Sequence, residues 1–179
     1  MKPSVVVSGP ALDGVLARAW EAAAAVTDPE VPVLTIADLG VLRSVEWDSA
    51  GGDRVVVTIT PTYSGCPAMH HIEQRVVESL AAAGIEASVQ TVFSPAWTTD
   101  WMSDEGRRKL VAYGIAAPHR AAPATDGGSV SVLFVRPPVR CPHCGSRHTS
   151  LVSEFGSTAC KALYRCRDCR EPFDYFKEL

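Results

Sequence analysis

Apolar positions along the chain change period several times, and each change marks an element. Leu12, Val15, Leu16, Ala19, Trp20 and Ala23 share one face at helical spacing, which predicts an amphipathic helix over 12–26 with Asp13 as its cap. Thr27-Asp28-Pro29 ends it, because the residue before a proline avoids the α region. Residues 28–40 carry two prolines, acids and hydroxyls around an apolar stripe, and read as an ordered loop with a helical turn near Ile36–Leu39. Val41–Trp47 and Arg54–Thr60 are strand-like, and the turn at 49–53 joins them as a hairpin. Helical spacing returns with Met69, Ile72, Val76, Val77 and Leu80, predicting a helix over 67–83 with Gly84 at its C′ position. Glu86–Phe93 then alternates as a third strand. The order helix–strand–strand–helix–strand predicts an α+β sandwich whose sheet is covered on one side.

Beyond it, Ser94–Trp101 sets Trp97 and Trp101 around Asp100, which reads as filling the edge of the domain more than as a surface anchor. Residues 103–113 predict a short helix ending at Gly114. Prolines, alanines and Gly127-Gly128 mark a linker, followed by a strand at Val130–Val135. Short strands at 148–154, 161–165 and 172–176 suit a ribbon. The expected organisation is a domain at 1–115, a linker with one strand at 116–136, and a ribbon at 137–179.

Composition narrows the class. Hydrophobic residues at 46% and charged ones at 21% fit a soluble globular protein. No apolar run reaches the ~18 residues that span a bilayer, and the opening residues lack the pattern of a secretory signal, so a cytoplasmic protein with no membrane partner is expected. The net charge of −3 divides into −5 over 1–136 and +2 over 137–179. Four thiolates around one Zn²⁺ would bring the latter to about zero, which argues against nucleic acid as a partner. Of the six cysteines, four lie in CxxC pairs, which fits a reducing compartment and metal ligation better than disulfides.

Those pairs, Cys141-Pro142-His143-Cys144 and Cys166-Arg167-Asp168-Cys169, give C-x2-C-x21-C-x2-C. Two such knuckles can place four thiolates about 2.3 Å from one ion, and a closed set of four sulfurs is structural far more often than catalytic. Zinc is the expected metal; mononuclear iron is the alternative. So small a module has too little core to fold alone, and metal supplies the missing free energy. His143 and His148 read as bystanders, and Cys160 as a packed small residue in preference to a second reactive thiol.

Cys66 lies between the strand-like run and the second helix, which puts it at the N-cap with Pro67 at N1. Unpaired N–H groups and the helix dipole there would lower its pKa below the ~8.5 of free cysteine. If the 28–40 loop folds over this helix start, Asp28 and Glu30 join Cys66 in one pocket, a mixture of hard and soft ligands able to hold iron transiently. His70 or His71 could add a nitrogen. The plainer alternatives are a buried turn cysteine and acids capping local backbone.

Asp28-Pro29-Glu30-Val31-Pro32, Asp38-Leu39-Gly40-Val41 and Thr60-Pro61-Thr62-Tyr63-Ser64-Gly65-Cys66-Pro67 together resemble the metal–sulfur cluster assembly domain family. The segment 95–110, the paired CxxC knuckles, Gly156–Cys166 and Glu171–Lys177 narrow the resemblance to the PaaD family, small subunits encoded with the phenylacetyl-CoA epoxidase. The resemblance implies an accessory subunit, not itself catalytic, that helps assemble or repair Fe–S or diiron centres in phenylacetate catabolism. It implies Cys66 as the functional cysteine with Asp28 and Glu30 in its acidic motif. It also implies epoxidase subunits, including an Fe–S reductase, as partners, with a homodimer as one way to complete a ligand shell. Two rivals stand beside it. One is an enzyme with Cys66 as covalent nucleophile, for which only His70 or His71 offers a base. The other is a structural adaptor in which Cys66 is inert.

Overall fold

The computed structural model describes residues 13–49, 53–119 and 138–178. The chain forms two compact units, divided between Lys109 and Leu110.

In the first, α1 (Asp13–Ala24) buries Leu16, Ala19 and Ala23, the centre of its expected apolar face. β1 (Leu42–Trp47) and β2 (Val55–Ile59) form the antiparallel hairpin, in register from Ser44↔Thr58 to Trp47↔Val55 with an irregularity between Leu42 and Ser44. α2 (Ala68–Ala82) buries Ala68, Ile72, Val76 and Leu80, a strict four-residue spacing. It ends as its sequence predicts, with Gly84 at φ +71°. β3 (Ala87–Thr91) pairs parallel with β2, from Val55↔Ala87 to Ile59↔Thr91. The crossover through α2 dictates this direction, because parallel neighbours need a long connection whereas β1 and β2 need only a turn. The sheet order is β1–β2–β3, with α1 against β1 and β2, and α2 against α1 and β3.

Past β3, a single 3-10 turn at Thr99–Trp101 precedes α3 (Asp104–Ala112). Trp97 is buried and its Nε1 donates to the Leu39 carbonyl at 2.9 Å, so it fills the domain edge as expected and also pins the 28–40 loop. Arg43 lies over the Trp101 ring, 3.4 Å from its centroid.

The second unit is a four-stranded sheet in the order β4–β7–β6–β5. Its strands are β4 (Ile115–Ala116), β5 (Thr149–Ser153), β6 (Lys161–Cys166) and β7 (Pro172–Phe176). The last three match the expected ribbon strands and pair antiparallel. β4 lies where the sequence pattern puts the junction of domain and linker, yet it pairs parallel with β7 through Ile115↔Asp174 and Ala116↔Tyr175. The rest of the expected linker, and the strand expected at 130–135, fall outside the described residues apart from 117–119. The core of this unit is small: Ala116, Val139, Ala162, Phe173 and Tyr175 with Cys141 and Cys166. Cys160 is buried with its sulfur 3.0 Å from the Thr158 hydroxyl, a packed residue as its sequence context suggests.

Candidate functional site

The two acids that act on Cys66 sit on the loop that precedes β1. Residues 28–40 are fixed from below by Val31, Leu34, Ile36 and Leu39, all 0–1% exposed. They are also tied to the end of α1, through Asp28 N–H to Leu34 O and Ile36 N–H to Val26 O, both 2.9 Å. Asp28 folds the loop back on itself, its Oδ1 accepting from the N–H groups of Glu30 and Val31 at 2.8 Å each. This is the local backbone capping that the plainer reading of an acid in this position expects.

A residue that the sequence places in a family motif, with no role of its own, anchors the other end. Asp38 is 7% exposed. Its Oδ2 accepts from Lys109 Nζ at 2.6 Å and Thr35 N–H at 3.1 Å, and its Oδ1 from the Ser103 hydroxyl at 3.1 Å. Burial alone would raise its pKa, but Lys109, the Thr35 N–H and the Ser103 and Thr35 hydroxyls outweigh it and hold the carboxyl below the usual range. Two glycines make the approach possible. A Cβ on Gly106 would meet the Asp38 backbone at 2.9 Å, and one on Gly40, at φ +71°, would meet the Trp101 carbonyl at 2.5 Å. An Asp shortly before an apolar-flanked glycine is visible in the sequence, but nothing local announces Lys109 as its partner.

Cys66 is half-buried. The helix starts one residue later than its spacing predicts: Pro67, at φ −69° and ψ −20°, occupies the N-cap of α2, and Cys66 precedes it. The predicted fall in thiol pKa is reversed. Burial is the largest cause and pushes the Cys66 thiol up, and the charges of Glu30 and Asp28 push it the same way. The Ala68 N–H and the Thr62 hydroxyl, which hydrogen-bond the sulfur and favour the thiolate, are outweighed. The structure therefore does gather Cys66, Asp28 and Glu30 in one neighbourhood. His70 and His71 are exposed, and the Nε2 of His70 lies 3.0 Å from the Gln74 amide.

The second constellation is the four-cysteine group. The sulfurs of Cys141, Cys144, Cys166 and Cys169 all lie within 4.8 Å of one another. Cys141 and Cys169 are separated by 3.8 Å, and Cys144 and Cys166 by 3.6 Å. These distances exclude disulfides, whose sulfurs sit at about 2.05 Å. They match a tetrahedron with arms of about 2.3 Å, whose edges are about 3.8 Å. The donor set thus fits a thiophilic ion. The Cys169 N–H, followed by that of Asp168, holds Cys166 down to about 6. Although the Glu171 N–H favours a Cys169 thiolate, burial and the sulfurs of Cys166, Cys144 and Cys141 push that thiol up to about 12. The knuckles turn at Gly145, φ +76°, and at Arg170, φ +68°, the one non-glycine among the described residues in the left-handed region. His143 and His148 are outside the sulfur group; the Nδ1 of His148 instead meets Asp168 Oδ1 at 3.1 Å.

Comparison with known proteins covers both constellations. The family model for the PaaD zinc beta ribbon domain matches residues 125–177, and that for an iron-sulfur cluster assembly protein matches residues 16–92. A protein of Escherichia coli (strain K12), provisionally named as one of the subunits of 1,2-phenylacetyl-CoA epoxidase, is 49% identical over 160 residues, covering 88% of this chain and 90% of its own length. Among solved structures, a domain of unknown function, DUF59, from Bacillus anthracis is 28% identical with a TM-score of 0.50, covering 55% of this chain and 92% of its own. A conserved hypothetical protein of Thermotoga maritima is also 28% identical, with a TM-score of 0.43, covering 52% of this chain and 91% of its own.

Proposed function

Because this chain belongs to the PaaD family of phenylacetyl-CoA epoxidase subunits, we propose that it is an accessory subunit of such an epoxidase system in phenylacetate catabolism, and that it assists assembly of a partner's Fe–S or diiron centre. The observation that carries this reading is that the charges of two carboxylates, Glu30 and Asp28, act on one half-buried thiol, Cys66, just before the start of α2. Iron or a small Fe–S unit is the cargo. Before it arrives, burial and the two negative charges keep the Cys66 thiol protonated. The charge of an arriving cation reverses that balance, the thiol proton leaves to solvent, and the Ala68 N–H and Thr62 hydroxyl steady the sulfur. Asp28 holds its loop with Oδ1 and so contributes chiefly charge, and Glu30 adds a second negative charge beside the sulfur. When the cargo leaves, the thiol takes its proton back. One sulfur is too few for a permanent cluster, which usually takes four cysteines, so the arrangement suits brief holding while a client or a second copy supplies the other ligands.

Cys141, Cys144, Cys166 and Cys169 would hold zinc as a structural ion, whose binding supplies folding free energy to a module with a small core. Partner subunits, an Fe–S reductase among them, are the clients in this reading. It is tested by preparing the epoxidase complex with and without this chain and measuring iron and acid-labile sulfide. Complex made without it, or with Cys66→Ser, should carry less of one or both. A complex fully metallated and equally active in its absence overturns maturation.

A second reading, a structural adaptor, draws support from two observations. The Cys66 thiol is raised, and the ribbon exposes Leu151, Val152 and Phe155 at 43%, 57% and 70% on and just beyond its edge strand β5. An adaptor would bind its partners equally well as Cys66→Ser and leave their metal content unchanged.

A further inference from the structure

The two knuckles are joined outside the sulfur shell by side chains that the four-cysteine motif does not include. Ser146 follows Cys144 by two residues, and Asp168 follows Cys166 by two. Each donates its backbone N–H to that cysteine's sulfur, Ser146 to Cys144 and Asp168 to Cys166. The sulfurs of Cys144 and Cys166, on opposite knuckles, are 3.6 Å apart. The same two residues then bond each other, the Ser146 hydroxyl donating to Asp168 Oδ2 at 2.5 Å. His148 closes the group: its Nδ1 lies 3.1 Å from Asp168 Oδ1, and its N–H donates to Ser146 Oγ at 2.9 Å.

The side chains of His148 and Asp168 are 66% and 55% exposed. Hydrogen bonds and ion pairs so exposed add little to folding stability. Their placement is more telling. One side-chain bond ties together two backbone donors aimed at two sulfurs on opposite knuckles, so it fixes the orientation of both N–H groups at once. A metal ion can leave only when a sulfur from one knuckle parts from those of the other, and this contact spans that division.

We propose that Ser146, Asp168 and His148 form a clasp that positions the sulfurs of Cys144 and Cys166 and sets how slowly the metal is released. The proposal rests on the reading of the four cysteines as a metal site. The clasp residues are positioning residues; none of them touches the ion. Removing a partner that orients a metal ligand commonly lowers metal affinity by about 10–100-fold. Here the loss falls mainly on the release rate, because parting the knuckles is the step the clasp opposes.

The test uses the full chain loaded with zinc or with cobalt, whose absorption bands report the sulfur geometry. Release into excess chelator is followed for the parent, Ser146→Ala, Asp168→Ala and the double variant, with Arg167→Ala as a change in the same knuckle outside the clasp. Ser146→Ala and Asp168→Ala should each release metal about tenfold faster. The double variant should be no faster than the faster single one, since both remove the same contact. Both single variants should shift the cobalt bands, and Arg167→Ala should behave as the parent. A parent that retains no metal overturns the metal site itself. A loaded parent whose variants release at its own rate, or whose effects simply add, overturns the clasp while leaving the metal site standing. Ser146→Ala deletes only a hydroxyl, so the comparison survives if Asp168→Ala fails to fold.

Discussion

Replacing Asp38 by asparagine keeps the shape of the side chain and removes its charge. In the folded protein the Asp38 side chain is 9% exposed and that of Lys109 35%. Their contact at 2.6 Å is joined by the Thr35 N–H and Ser103 hydroxyl on the same carboxylate. Breaking a fully buried pair from one side costs about 3–5 kcal/mol, and the partial exposure of Lys109 reduces that to about 2–3 kcal/mol. For a unit of this size each kcal/mol moves the melting temperature by about 4–8 °C. Asp38→Asn should therefore melt at least about 8 °C lower at neutral pH by circular dichroism. The pH dependence carries the sharper test. The folded-state pKa of Asp38 lies below the ordinary 3.8, so its contribution is complete above that value and is lost as pH falls through the lowered one. The gap between parent and variant should be flat from pH 7 down to about pH 5 and narrow only below the ordinary carboxylate value. A variant melting within about 2 °C of the parent at about pH 7, or a gap that already narrows between about pH 7 and 5, would refute the reasoning.

Three other outcomes follow from the geometry. The parent should hold close to one equivalent of metal by elemental analysis after gel filtration, and Cys144→Ala should lose it and gain a protease-sensitive ribbon; full retention would reject the ligand set. The rate of Cys66 alkylation against pH should give a midpoint above the ordinary thiol value, because burial and two carboxylates oppose the thiolate; a midpoint below it would reinstate the helix-terminus expectation. Gly40→Ala places a Cβ 2.5 Å from the Trp101 carbonyl at a backbone φ of +71°, and should destabilise by about 2 kcal/mol or more in urea unfolding; an unchanged midpoint would show that the Trp101 segment gives way freely.

Features written in local spacing are legible without coordinates. The buried positions of α2, the hairpin, the three later ribbon strands and the paired knuckles all follow from residues a few places apart. The parallel pairing of β2 with β3 follows once α2 is recognised as a crossover. Cys66 shows where such reading stops. Its place near a helix start is evident, and that alone argues for a lowered thiol pKa. Asp28 and Glu30 lie some forty residues earlier, and only the fold supplies the burial and brings the two charges that together reverse the sign. Asp38 with Lys109, and Ser146 with Asp168, are likewise pairs made by folding, with |i−j| of 71 and 22.

The pairing of β4 with β7 means that the ribbon is not a detachable bead at the end of the chain. Ile115 and Ala116 sit upstream of residues 120–137, yet they supply the outer strand of the sheet, and Ala116 fills part of its core. A fragment beginning at 137 would expose the backbone edge of β7 at Asp174 and Tyr175 and leave a gap beside Tyr175 and Val139. The four cysteines and the residues that immediately follow α3 thus belong to one cooperative piece, so parting the four sulfurs would loosen the chain on the near side of 120–137 as well as the far side. Any division of this protein into working halves has to be made before Leu110, with β4 travelling alongside the cysteines.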